Sequence, residues 1–175
     1  MALDLKKIIR NVPDFPKKGI VFRDITPLIG HPAAFRSLVD EIVQRCRGQK
    51  IDAVAAIEAR GFIFGAAVAY QLGVGFVPIR KKGKLPYRAR RETYALEYGT
   101  DTIEMHEDGV KRGQNVLLVD DLLATGGTMA ACCRLIESVG GKVAGIAFVI
   151  ELSFLKGREK LAGYDVFSLV DYDSE

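Results

Sequence analysis

The chain has only three cysteines, Cys46, Cys132 and Cys133, in 175 residues. An odd count with no Cys-x-x-Cys spacing argues against a disulfide framework or a zinc site. Cys132 and Cys133 fall in a helical pattern, where cysteine packs as a small apolar residue. The two histidines, His31 and His106, stand too far apart to form a metal motif and read as structural or solvated. No apolar run approaches the roughly 18 residues of a membrane span. The N-terminal MALDLKKIIRNV is amphipathic and lacks the apolar centre of a secretion signal. No membrane partner is therefore expected, and a cytoplasmic location is the default. Internal repeats, low-complexity tracts and domain linkers are missing as well, so residues 1–175 are expected to form one domain. The Gly-Lys-Ser/Thr ending of a P-loop is absent, which disfavours a nucleoside triphosphatase. A GxGxxG dinucleotide fingerprint is absent too.

What is present is concentrated in NVLLVDDLLATGGTMA, residues 115–130. The apolar run Val116 to Val119 reads as a buried parallel strand ended by Asp120 and Asp121, its carboxyl end facing a site. The small-residue loop Ala124, Thr125, Gly126, Gly127 and Thr128 follows, and then a helix. Gly126 and Gly127 allow backbone amides to approach an anion, and a helix opening near Thr128 adds unpaired N–H groups and a positive dipole end. Amides and hydroxyls suit a phosphate; carboxylates suit ribose hydroxyls. The block reads as a sugar-phosphate site.

Charge is just as uneven. The net charge is +3, yet RKKGKLPYRARR, from Arg80 to Arg91, holds seven basic residues and no acid. Taking those seven from the 25 basic residues leaves 18 against 22 acids. Such a segment reads as an anion site or mobile lid, a nucleic-acid patch, or a solvated loop.

Periodicity predicts helices at Leu3–Ile9, Pro32–Arg47, Gly61–Leu72 and from the phosphate loop to about Val139, with a short one at Arg158–Leu161. Strands are predicted at Ile51–Ile57, Val74–Ile79, Val116–Val119, Lys142–Ile150 and Val166–Val170. Thr93–Tyr98 and Thr102–His106 form a predicted hairpin. VPDFPKKGIVFRDITP reads as irregular, with an extended piece at Ile20–Phe22. This alternation implies an α/β fold with a mainly parallel sheet. Ligands then bind beyond the strands' carboxyl ends, where Glu58-Ala59-Arg60, Arg80-Lys81 and Asp120-Asp121 should converge.

VLLVDDLLATGGTM resembles the phosphoribosyl-pyrophosphate motif of the type I phosphoribosyltransferases. DDLLATGGT in particular is similar to the wording of the bacterial-type adenine phosphoribosyltransferases. FPKKGIVFRDITPL resembles the family's base-recognition segment, and EARGFIFG its pyrophosphate loop, with Ala59 where Ser is usual. IRKKGKLP and YALEYG resemble its basic strand end and catalytic loop, and ELSFLKGREKL its C-terminal portion. The resemblance implies the family fold, with flanking helices, a small N-terminal hood over about 1–31 and a flexible basic loop over 81–99. It implies purine salvage, in which adenine and phosphoribosyl pyrophosphate give AMP and pyrophosphate with magnesium. Asp120 and Asp121 would take the ribose hydroxyls, and Ala124, Thr125, Gly126, Gly127 and Thr128 the 5-phosphate. Arg60 would hold pyrophosphate, helped by Arg80, Lys81 and Lys84. Val21 and Arg23 would read the purine edge, with Phe22 stacking on its face. Glu97 would be the acid/base residue and Tyr98 would help close the site. Magnesium would sit mainly on substrate and water, with no certain protein ligand. The resemblance further implies a homodimer, no nucleic-acid partner, and a non-proline cis peptide between Glu58 and Ala59. A 6-oxopurine-specific relative is the alternative. Its Lys on the strand after the phosphate loop is absent here, because no Lys lies between Lys142 and Lys156.

Overall fold

The computed structural model describes residues 4–96 and 99–175. The chain begins with helix α1 (Leu5–Ile8), strands β1 (Arg10–Val12) and β2 (Phe22–Asp24), and helices α2 (Thr26–Ile29) and α3 (Pro32–Arg45). Then come β3 (Ala53–Ile57), α4 (Arg60–Leu72), β4 (Gly75–Lys81), β5 (Ala89–Ala95), β6 (Thr100–His106) and β7 (Asn115–Leu123). Helix α5 (Gly127–Ser138), β8 (Lys142–Leu152), two 3₁₀ turns (Ser153–Leu155 and Gly157–Leu161) and β9 (Val166–Tyr172) complete it. Seven strands form one sheet in the order β5-β6-β4-β3-β7-β8-β9, and β1-β2 is a separate ribbon. Strands β4, β3, β7, β8 and β9 run parallel, whereas β6 and β5 are antiparallel additions at one edge.

Burial explains the layering. Every residue of β3, AVAAI, is buried, as a parallel strand covered on both faces requires. Leu38 and Ile42 of α3, with Phe64 and Val68 of α4, cover the face carrying Val54, Leu117, Val119 and Val149. Leu135 and Ile136 of α5 cover the other face, over Ala55, Leu118, Ile146 and Phe148. His31 proves structural: its Nδ1 accepts from the Ala34 N–H at 3.1 Å and caps α3. All three cysteines are free and buried.

The expected α/β architecture stands, with four local differences. Ribbon β1-β2 and helix α2 occupy the stretch read mostly as irregular. Their cohesion is partly local, from an Arg10–Asp24 ion pair at 3.3 Å and an Asp24 carboxylate that accepts from the Thr26 N–H. It is also partly tertiary, through buried Ile25 and Leu28. Strand β7 does not stop before Asp120 but continues to Leu123, because β8 pairs with it as far as Glu151. In the 81–99 segment, expected as a loop apart from the Thr93–Tyr98 arm of a hairpin with Thr102–His106, the hairpin is found and its first strand, β5, begins already at Ala89, paired with β6 from Ala89↔His106 to Ala95↔Thr100. The charges there are balanced across the pair: Arg91 meets Glu104 at 2.6 Å and the Thr93 and Thr102 hydroxyls bond at 2.9 Å. Lastly, Ser153–Leu155 forms a 3₁₀ turn that no pattern announced.

Helix α4 sits unusually close to the sheet. A Cβ on Gly65 would lie 2.6 Å from the Ala56 Cβ and 3.0 Å from the Phe76 ring. Gly65→Ala should therefore destabilise the protein by about 1–3 kcal/mol through overpacking, despite alanine's better helix propensity. Urea unfolding measures this; an unchanged or increased stability would show that α4 can move away from β3.

Candidate active site

Because β4, β3 and β7 are parallel neighbours, their carboxyl ends open on one edge of the sheet. The three charged segments meet there around a cavity of about 430 Å³. Its wall includes Glu58, Arg60, Lys81, Tyr94, Asp120 and Asp121, and its far side is the whole loop from Ala124 to Thr128. The loop turns into α5 through Gly126, whose φ of 79° is a left-handed conformation that glycine adopts without a Cβ penalty. The first N–H groups of this 12-residue helix have no carbonyl one turn back, so they and the dipole make the loop a receptor for an anion. The Glu58–Ala59 peptide bond is cis.

Two carboxylates and one guanidinium set the electrostatics. Arg60 Nε lies 2.7 Å from Asp121 Oδ2, and the Asp121 N–H donates to Asp120 Oδ1 at 2.9 Å. Asp121 is only 6% exposed. Burial, and then repulsion from Asp121, push the Asp120 carboxyl well above the usual carboxylate range. Burial also raises Asp121, against the opposing pull of Arg60. Glu58 behaves differently. Burial would raise it, but Lys84 Nζ and the Lys81 N–H, each 2.6 Å from a carboxylate oxygen, together hold it below its ordinary value.

The basic run is largely partnered. Arg80 lies 3.5 Å and Lys84 2.6 Å from Glu58, Lys81 is 2.6 Å from Asp101, and Arg90 and Arg91 face Glu107 and Glu104. Of these, Lys81 lines the cavity, whereas Arg80 and Lys84 reach it through Glu58. Glu58, Tyr94 and Asp101 were not singled out as site residues from the sequence. The Tyr94 hydroxyl accepts from Thr128 Oγ1 at 3.2 Å and lies 3.4 Å from Asp101 Oδ2, which links the anion loop to Lys81. A tyrosine within TYALEYG gave no sign of this, since the bond joins strands and a helix far apart in sequence.

The N-terminal segment borders the same edge: the Arg60 guanidinium lies 5.6 Å from the centroid of the Phe22 ring. The Arg23 side chain, by contrast, is committed elsewhere. It stacks on Tyr172 at 3.9 Å and donates to Asn11 Oδ1 and the Ser174 carbonyl, which leaves its main chain for any base contact. The Val21 N–H donates to a Glu175 carboxylate oxygen at 3.0 Å. Glu97 and Tyr98 lie outside the described residues.

The phosphoribosyl transferase domain family matches residues 29–172. Adenine phosphoribosyltransferase of Solibacter usitatus is 58% identical over 170 residues, covering 97% of this chain and 98% of that protein. The chain belongs to the adenine phosphoribosyltransferase family. Two solved members show how far the likeness extends in space. The crystal structure from Thermoanaerobacter pseudethanolicus has 54% identity and a TM-score of 0.94, covering 97% of this chain and 98% of that one. The Saccharomyces cerevisiae enzyme, complexed with D-2,5-dideoxy-2,5-imino-altritol 1,6-bisphosphate and adenine, has 42% identity and a TM-score of 0.90, covering 96% and 97%.

The oxygen donors at the cavity would suit a hydrated magnesium ion. Asp120 and Asp121 are the carboxylates beside the anion loop, and no group of three or more His, Cys, Asp or Glu side chains converges as a metal cage among the described residues. Two carboxylates with water and substrate oxygens match the preference of magnesium for keeping much of its hydration.

The raised Asp120 also bears on stability. The folded protein binds that proton more tightly than the unfolded chain does. The stabilising effect is complete below the ordinary carboxylate range and is lost as pH rises through the folded-state value. At neutral pH the burial of Asp120 is therefore a cost. Asp120→Asn, whose amide oxygen can still accept from the Asp121 N–H, should raise the neutral-pH Tm by about 2–4 °C. The gain should shrink on acidification. Thermal unfolding across that range checks it, and a variant less stable at neutral pH would contradict the burial argument.

Proposed function

We propose that the protein transfers the 5-phosphoribosyl group of phosphoribosyl pyrophosphate to adenine, giving AMP and pyrophosphate in purine salvage. The observation that carries this reading is the single cavity walled by the anion loop, the Asp120–Asp121 pair and Arg60, with Phe22 beside it. An anion cradle next to paired carboxylates matches a sugar phosphate, and a second cationic wall matches a diphosphate. The family membership supports adenine. So does strand β8, KVAGIAFVIEL, which carries no Lys beyond Lys142 to donate to a 6-oxo group.

In this mechanism the 5-phosphate sits on the amides and hydroxyls of Ala124 to Thr128, and the ribose hydroxyls donate to Asp120 and Asp121. Arg60 and Lys81 face the pyrophosphate, with Arg80 and Lys84 held near by Glu58. The bond from ribose C1 to the pyrophosphate oxygen breaks as positive charge builds on the sugar; pyrophosphate leaves with the electron pair, a ring nitrogen of adenine forms the new bond to C1, and its proton passes to Glu97 as base. Fixed carboxylates stabilise that charge at no reorganisation cost, and positioning supplies much of the rest. A magnesium ion, held mainly by substrate and water beside Asp120 and Asp121, would supply charge neutralisation to the leaving group. Phe22 stacks on the purine, and a ring nitrogen takes the place of Glu175 at the Val21 N–H. Glu97 is the acid/base residue and Tyr98 helps close the site; the resemblance of YALEYG supports both.

The cytoplasmic, homodimeric state belongs to the same reading. No described helix is long and apolar enough to cross a membrane. On α4, Tyr70 is 90% exposed and Ile63, two turns earlier, is 38% exposed, outward apolar side chains that suit a second subunit. A nucleic-acid partner is disfavoured, since five of the seven basic residues from Arg80 to Arg91 already face acids.

AMP formation measured with adenine, hypoxanthine, guanine and orotate should show turnover with adenine and little with the others. Arg60→Ala and Asp121→Ala should each lower kcat/KM by about 10²-fold or more while the fold survives. Near-normal kinetics in both variants would show that the site is wrongly placed.

A further inference from the structure

The C-terminal motif ELSFLKGREKL contributes nothing to the cavity wall, yet its centre lies directly behind the anion loop. Contact there is backbone against backbone. A Cβ placed on Gly126 would collide with the Gly157 carbonyl oxygen, and one on Gly157 would collide with the Ala124 carbonyl oxygen. The same Gly157 Cβ would come within 2.9 Å of Leu123, whose strand feeds the loop. Neither main chain can yield as a flexible side chain would, so two glycines face each other where the loop turns into α5.

The turn that presents Gly157 is itself pinned. Lys156 has a φ of 55°, a left-handed conformation that a lysine adopts only when its surroundings impose it. Next to Gly157, Arg158 forms a two-pronged ion pair with Glu151, Nε to Oε1 at 2.6 Å and Nη2 to Oε2 at 2.7 Å. Glu151 is 5% exposed near the end of β8 and also accepts from Ser168 Oγ at 2.7 Å. Arg158 Nη1 donates to the Val166 carbonyl at 2.6 Å. One guanidinium thus fastens the turn to β8 and β9 together, with the planar geometry that lysine lacks.

We propose that the Lys156–Arg158 turn is a buttress that sets the shape of the phosphate cradle, with Gly157 as its contact and Glu151 and Arg158 as positioning residues. They touch no substrate. They act by fixing where the Ala124 to Thr128 amides point, and so act on the ribosyl phosphate end of the donor and not on the base. The inference rests on the reading that those amides hold the 5-phosphate.

The test uses the full chain and ribose 5-phosphate as probe. Calorimetric affinity, steady-state kinetics and ¹⁵N amide shifts are compared for wild type, Gly157→Ala, Arg158→Lys and Glu151→Gln. Leu38→Ala, which opens a cavity in the α3 face of the core, serves as a control for simple destabilisation. Gly157→Ala and Arg158→Lys should each weaken ribose 5-phosphate binding by about tenfold and raise KM for phosphoribosyl pyrophosphate by a similar factor. Glu151→Gln should act in the same direction. KM for adenine should stay unchanged, and the Gly126, Gly127 and Thr128 amides should be displaced even without ligand. Leu38→Ala should lower Tm without altering ribose 5-phosphate affinity. If the three variants lose stability yet bind the probe as wild type does, the turn is merely structural and the proposal is overturned. If ribose 5-phosphate leaves those three wild-type amides unmoved, the cradle reading itself fails.

Discussion

The close seating of α4 on the parallel sheet is the constraint from which the site follows. Gly61 and Gly65 bring the helix against β3 and β7 so tightly that a Cβ on Gly61 would lie 2.8 Å from Asp120 Oδ1. That approach places Arg60, the first residue of the helix, beside Asp121, and it strips water from the carboxylate pair. Ala56 of β3 serves the same end: a larger side chain there would lift the helix and carry Arg60 away. A weakness in local packing would therefore appear as a fault in charge placement.

The charges themselves are arranged as a preformed receptor. Burial pushes the Asp120 and Asp121 carboxyls up, Glu58 is held below its ordinary value by its lysine partners, and the basic strand end is matched by Glu58 and Asp101. Such an arrangement spends some folding stability on a geometry already suited to a charged substrate, as functional sites commonly do. Most of the charge of the basic segment is thereby answered within the molecule.

Much of this was legible in the sequence where the physics is local. The parallel sheet, the glycine-rich anion loop and the convergence of three charged strand ends follow from periodicity and from the rule that parallel strands share an opening edge. Harder to read was whatever depends on a partner strand. The extension of β7 past Asp120 and the pairing of Ala89–Ala95 both come from neighbours, and acids from Glu58, just beyond β3, to Asp101, Glu104 and Glu107 in and just beyond β6 answer the basic run. The roles of Glu58, Tyr94 and Asp101 share that origin. The placement of the Arg23 side chain has the same origin, since Tyr172, distant in sequence, stacks on its guanidinium.

A crystal structure with ribose 5-phosphate tests the central claim most directly. The phosphate should lie within hydrogen-bond distance of the amides from Thr125 to Thr128, with the ribose hydroxyls on Asp120 and Asp121. Electron density for the sugar phosphate on the Arg88–Arg91 strand, with the anion loop empty, would contradict it.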